Sequence, residues 1–198
     1  MKIRVTGDYA CFTRPEYKIE RFSYPIITPT AAKGLVKNVF WKPQIDYIIK
    51  KIYVVKAGTF MSLGIIKEHK ELNGLSSNAL RTSLKHMTVL KDVEYVLDVE
   101  QTIISDKVKA SKVNTVSKYK EMLRKRLCKG KYFRTPYLGM AGFPCSIIEE
   151  VDQAPVTLDT SLTIIPGLLI DIRYKNSIPE AIFADVVVKN GILEVPTC

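Results

Sequence analysis

Lys2-Ile3-Arg4-Val5-Thr6-Gly7-Asp8-Tyr9-Ala10-Cys11 sets Ile3, Val5, Gly7, Tyr9 and Cys11 against Lys2, Arg4, Thr6, Asp8 and Ala10. A period of two marks a strand with one buried face. Thr28-Pro29 then opens a helix. Threonine is the N-cap, and proline takes the first helical position, where a missing N–H breaks no helical bond. The spacing carries this helix to about Trp41, short of Pro43, because the residue before a proline avoids helical angles. Residues 45–55 are apolar and β-branched enough for a strand, and 59–66 read as its partner. Residues 70–83, with Asn73-Gly74 and serines, read as a loop. Val93, Tyr95, Leu97 and Val99 alternate with Glu94, Val96, Asp98 and Glu100, predicting a strand over 92–104.

A second helix is expected over residues 112–129, ended by Gly130. Val116, Tyr119, Leu123 and Leu127 share one face, and Lys118, Lys125 and Lys129 the opposite one. The last third is β-rich, with strands over 168–174, 181–189 and 192–195 and a two-residue hairpin signal at Asn190-Gly191. Strand, helix, strands, helix, strands is the order of an α+β fold with helices packed on an antiparallel sheet. A ferredoxin-like or RRM-like core fits it. The expected organisation is a core over residues 1–150, with a small β-rich C-terminal extension over 151–198.

Charge is concentrated. Residues 107–134 hold eleven lysines and arginines against one acid, Glu121, a net +10 equal to that of the whole chain. A field so focused suits a polyphosphate, because each neutralised phosphate releases condensed counterions. The run leads into Tyr132-Phe133-Arg134-Thr135-Pro136-Tyr137-Leu138-Gly139, where aromatic rings alternate with cations. Cations attract the backbone and rings stack on splayed bases, which together point to single-stranded nucleic acid. A solvated helix face followed by a core turn is the plainer alternative.

Composition narrows the classes. The 198 residues are 46% hydrophobic and 25% charged, enough to bury a core and unlike a disordered tail. The N-terminus carries no apolar signal core, and the apolar run 162–170 is broken by Pro166 and Gly167 and too short to span a bilayer. A cytoplasmic protein with no membrane partner is expected. Cys11, Cys128, Cys145 and Cys198 form no paired motif and read as free thiols. His69 and His86 have no metal-ligand spacing, so neither a metal nor a cofactor is expected.

Two ordered blocks carry a resemblance. One is residues 7–16, followed by Ser23-Tyr24, Thr28-Pro29, Ala32, Gly34 and Phe40-Trp41-Lys42-Pro43. The other is Lys118-Tyr119, Met122, Arg126, Lys129-Gly130, Phe133, Pro136-Tyr137-Leu138-Gly139 and Phe143-Pro144. They resemble the fifth CRISPR-associated protein family, in its subtype I-C (Dvulg) branch, over most of residues 3–145. The resemblance implies an RRM-like fold of the repeat-associated mysterious protein superfamily. It implies binding of the CRISPR RNA 5′ handle and capping of one end of a multisubunit effector complex. The implied partners are family-seven backbone subunits, with a large subunit or effector nuclease as a further candidate. In subtype I-C the family member also cuts the precursor transcript.

Such metal-independent cutting needs a group to take the proton of the neighbouring 2′-hydroxyl, an acid for the leaving 5′-oxygen and a cation for the phosphorane. The resemblance implies a tyrosine at the end of the first helix and an adjacent Lys-His pair. Here those positions hold Phe40 and Lys118-Tyr119. Phenylalanine carries no proton, and a tyrosine, with an ordinary pKa of about 10, is a poor base at neutral pH. The reading therefore favours a binding subunit. The alternative is an active precursor-processing endoribonuclease using Lys118 and Tyr119. Candidate RNA contacts are Arg14, Lys18, Phe22, Tyr24 and Lys33 near the first helix. Lys112, Lys118, Arg124, Lys125, Lys129, Lys131, Arg134 and Tyr137 complete the set around the basic run. Packing of a surface loop is the alternative for each loop residue singly.

Overall fold

β1 (Lys2–Ala10) forms where the alternation predicts it, with Ile3 and Val5 fully buried. The structure, a computed structural model, describes residues 1–17, 19–70, 80–104, 116–175 and 178–196, and only the backbone of 65–70, 80–83 and 174–175. After the short β2 (Arg21–Phe22) comes α1 (Pro29–Val39), started as expected: the Ala31 N–H donates to Thr28 Oγ1 at 3.1 Å. The helix ends before Trp41, because Phe40 is already extended, at φ −144°.

β3 (Ile45–Lys56) and β4 (Thr59–Lys70) lie end to end along one edge of β5 (Leu80–Ile103). Here the sequence reading is corrected twice. Residues 59–66 do not pair with the strand before them, and residues 80–83, taken as loop, begin a strand of 24 residues. β5 serves β4 through Lys91 and β3 from Glu94 onward. At the changeover Asp92 takes φ 58° and Gly58 takes φ 84°. A Cβ at Gly58 would stand 2.7 Å from the Lys91 carbonyl, so the bend needs glycine on that side.

α2 (Val116–Lys129) follows, capped by Gly130 at φ 58°. Tyr119, Leu123 and Leu127 are buried, whereas Val116, placed on the same face by its spacing, is 43% exposed at the helix start. β6 (Ile147–Val151) then pairs with β1. The order β6-β1-β5-β3, with β1-α1-β3-β5-α2-β6 along the chain, is the ferredoxin-like split β-α-β arrangement. β7 (Ile164–Lys175), β8 (Ile178–Lys189) and β9 (Ile192–Glu194) extend this sheet, since β9 bonds to the outer edge of β3. Asn190 and Gly191, at φ 49° and 74°, make the tight turn between β8 and β9. Ile165, Leu168, Ile170, Val186, Val188 and Leu193 join the same core as β1, β3, β5 and both helices.

Candidate nucleic-acid interface

The buried stripe of α2 turns its other side outward, and Lys118, Lys125 and Lys129 are exposed there. Lys131 and Arg134 continue the exposed basic surface beyond the helix. The cations are not equivalent. Arg124 donates a two-pronged pair of hydrogen bonds to Glu150, 2.6 and 2.7 Å long, tying α2 to β6. That guanidinium holds the Glu150 carboxyl below the usual carboxylate range. Lys125 stands 3.7 Å from Glu121. Lys129, Lys131 and Arg134 make no ion pair with any described residue. Their charge is available to an outside anion. Lys33 is engaged: it and Lys37 each reach Asp46 at 2.8 Å. Burial alone would raise the Asp46 pKa, but the two ammonium groups outweigh it and lower it.

The loop residues separate in the same way. Tyr24 is fully buried, its hydroxyl donates to the Gly167 carbonyl at 2.7 Å, and Arg14 covers its ring at 4.9 Å. Its ring is closed to any base, which corrects its place among the candidate RNA contacts. Arg14 also pairs with Glu16 at 3.1 Å. Phe22 stays half-buried between two exposed rings, Tyr17 at 5.3 Å and Phe60 at 5.5 Å. Tyr137 is half-buried in a groove with Thr13, Thr30 and Gly34. The turn presenting it is stiff: Pro136 is buried, and Gly139 has φ 81° with the Cys11 carbonyl where a Cβ would go. Lys18 and Lys112 lie outside the described residues.

The third element is a buried cluster. Phe40 is fully buried with its ring centroid 6.4 Å from that of Tyr119, itself only 6% exposed. The guanidinium of Arg126 lies over the Phe40 ring at 5.2 Å and donates to the Val39 carbonyl at 3.4 Å. Tyr47 donates from its buried hydroxyl to the Phe40 carbonyl at 2.6 Å. The end of α1 and the start of α2 therefore meet, as two halves of one reaction centre would. What meets there is two packed rings and a cation. Arg126 carries part of the sequence resemblance but was not among the candidate site residues. The available signal was its spacing, two helical turns after Tyr119 and so on the same face. Among the described residues no group of histidine, cysteine and acidic side chains could hold a metal, and no helix is long and apolar enough to cross a membrane.

The family model for CRISPR-associated protein (Cas_Cas5) matches residues 1–165. The chain belongs to this family. It is the Cas5 family of the sequence resemblance, in the subtype I-C branch. "CRISPR pre-crRNA endoribonuclease Cas5d" of Mannheimia succiniciproducens is 33% identical over 217 aligned positions, covering 99% of this chain and 94% of the relative. The protein of the same name from Thermus thermophilus is 40% identical over 160 positions, 78% of this chain and 66% of the relative. Among solved structures, a crystal structure of a CRISPR-associated protein superposes with TM-score 0.73 at 21% identity, covering 99% of this chain and 91% of that one. A chain of a CRISPR RNA-guided surveillance complex superposes with TM-score 0.52 at 12% identity over 94% and 90% of the two chains. The first of these structural likenesses bears out the expected ferredoxin-like α+β fold.

Proposed function

We propose that this Cas5 chain is a CRISPR RNA-binding subunit that holds the 5′ handle and caps one end of a multisubunit effector complex in antiviral defence. The observation carrying this reading is the exposed cationic surface from α2 into residues 129–134, anchored by a buried stripe and leading into exposed aromatic rings. Lys118, Lys125, Lys129, Lys131 and Arg134 contact phosphates, and Phe22 and Tyr137 offer ring surface. Family-seven backbone subunits, and a large subunit or effector nuclease, are the protein partners of this reading. The test is expression with the neighbouring complex subunits and sequencing of the RNA that copurifies. Small RNAs sharing one fixed 5′ sequence support it, and a heterogeneous or absent RNA fraction refutes it.

A second reading, cleavage of the precursor transcript, has specific support. Two relatives are named pre-crRNA endoribonucleases, and Phe40, Tyr119 and Arg126 converge where the resemblance implies the reaction centre. Arg126 and Lys118 are suited to stabilising a phosphorane. Phe40 supplies no proton, and positioned proton transfer typically contributes on the order of 10²–10⁴-fold. We therefore place binding ahead of cleavage. Incubating the isolated protein with its own repeat RNA, with and without EDTA, decides between them: efficient metal-independent cutting at one site, abolished by Lys118→Ala, would install the second reading.

A further inference from the structure

Trp41 and Phe133 are the feature that neither the basic face nor the buried cluster explains. Both are large aromatic side chains left 45% and 50% exposed, side by side, with ring centroids 5.7 Å apart and planes 32° from parallel. They come from segments far apart in sequence and are locked together through the backbone. The Phe133 N–H donates to the Val39 carbonyl at 3.1 Å and the Arg134 N–H to the Asn38 carbonyl at 2.8 Å. These bonds occupy carbonyls that the last turn of α1 would otherwise leave open. The rings are thus fixed in position without being buried.

The space they border is a cleft of about 410 Å³ lined by Lys37, Asn38, Trp41, Phe133 and Arg134. That volume falls in the range of small-molecule sites. The lining has two ring surfaces, one amide that can both donate and accept, two cations and no acid. Lys37 is held by Asp46 at 2.8 Å, so its stem walls the cleft. Arg134 lies 5.7 Å from the Phe133 ring and forms no ion pair with a described residue. A hydrophobic partner segment would meet an uncompensated guanidinium here. A flat, π-rich group bearing a phosphate would satisfy both components.

We propose that this cleft takes one unpaired nucleobase of single-stranded RNA, stacked on the Trp41–Phe133 pair, with the adjoining phosphate on Arg134 and the base edge toward the Asn38 amide. The proposal rests on the RNA-binding reading above and adds a base-stacking subsite to it. The basic face fixes backbone and is indifferent to bases, whereas this cleft requires a base.

Trp41 is the sole tryptophan of the chain, so intrinsic fluorescence reports on this cleft directly. The experiment titrates the full-length protein with a short oligoadenylate and with an abasic ribose-phosphate strand of the same length. Tryptophan emission is read alongside the anisotropy of a label on the RNA. Oligoadenylate should quench Trp41 saturably, at the concentrations where anisotropy rises. The abasic strand should bind with little quenching. Phe133→Ala should weaken oligoadenylate about tenfold, as loss of one stacking contact does, and change abasic-strand affinity less than about twofold. Phe133→Tyr should restore the tight binding, which separates a stacking role from a fold defect. Anisotropy rising with oligoadenylate while Trp41 emission stays constant overturns the subsite and leaves the RNA-binding reading standing. So does equal quenching by both strands. Failure of both strands to bind overturns the subsite and the RNA-binding reading together. Quenching that appears only when a protein subunit is added assigns the cleft to that subunit and refutes the proposal.

Discussion

Exchanging Lys129 and Lys131 for glutamine measures the available charge against the neutralised charge. Both side chains are exposed and make no ion pair with a described residue, so their loss should leave the melting temperature nearly unchanged. Each contact between a cation and a single-stranded phosphate contributes about 0.7 to the slope of log affinity against log salt. Losing two contacts should flatten that slope by about 1.4 and weaken binding roughly 25-fold at 0.1 M salt, with the difference vanishing toward 1 M. Arg124→Gln is the internal control. Its guanidinium is spent on Glu150 at 2.6 and 2.7 Å, so removing it should leave the slope unchanged while loosening α2 from β6. The assay is fluorescence anisotropy of a labelled single-stranded RNA at several salt concentrations, with thermal melts of each variant. An unchanged slope in the double variant, or an equal flattening by Arg124→Gln, would refute the division of cations drawn here.

Three further outcomes are expected. Tyr24→Phe removes the hydroxyl that donates to the Gly167 carbonyl at 2.7 Å. It should cost about 1 kcal/mol and lower the melting temperature by about 2–4 °C, with RNA affinity of the folded protein intact; a selective loss of RNA affinity would contradict the buried assignment. Asp46, lowered in pKa by Lys33 and Lys37, contributes stability that is complete above about pH 4 and fades as pH falls through its lower folded value. Asp46→Asn should therefore destabilise the protein at neutral pH and flatten the acid limb of its stability curve; parallel curves for the two proteins would contradict the ion pairs. Phe40→Tyr combined with Tyr119→His returns the residue types that the resemblance implies. The pair should raise site-specific cleavage of repeat RNA by on the order of 10²-fold or more over the parent, and no gain in a folded variant would remove the missing proton chemistry as the explanation.

Legibility in the sequence followed how local the cause was. β1, the Thr28-Pro29 start of α1, the Gly130 cap and the Asn190-Gly191 turn each rest on residues within a few positions of one another. All were readable. The first half of β5 was not. It bonds to β4 on one edge, and Leu84 is 62% exposed, so the apolar-polar alternation of a half-buried strand is missing there. The site divided similarly. The charge surplus of residues 107–134 is visible in composition, but that Arg124 is neutralised depends on Glu150, outside the run. Tyr24 and Phe22 look alike in sequence, but Tyr24 is covered by Arg14 and bonds to Gly167 of β7, whereas Phe22 lies between two exposed rings. Phe40 and Trp41 are adjacent in sequence, one buried and the other 45% exposed, and hydrophobic patterning cannot distinguish a ring turned inward from one turned out.

The attachment of β9 to β3 has a consequence for how the protein is made. Lys51 pairs with Glu194 and Tyr53 with Ile192, so the outer edge of β3 takes its strand partner from β9, 143 positions further along the sequence for the Lys51–Glu194 pair. While the ribosome is still translating the preceding segments, β3 can bond to β5 and take up the helices. Its other edge meanwhile presents unpaired amides and carbonyls to whatever is near. A contact spanning so much of the sequence is slow to form as well as late to become available. A chain stopped at residue 190 would hold both helices and every element of the ferredoxin-like core, yet expose that edge permanently. Aggregation of such a truncated product, in step with translation pausing before β9 is made, is the vulnerability this topology carries.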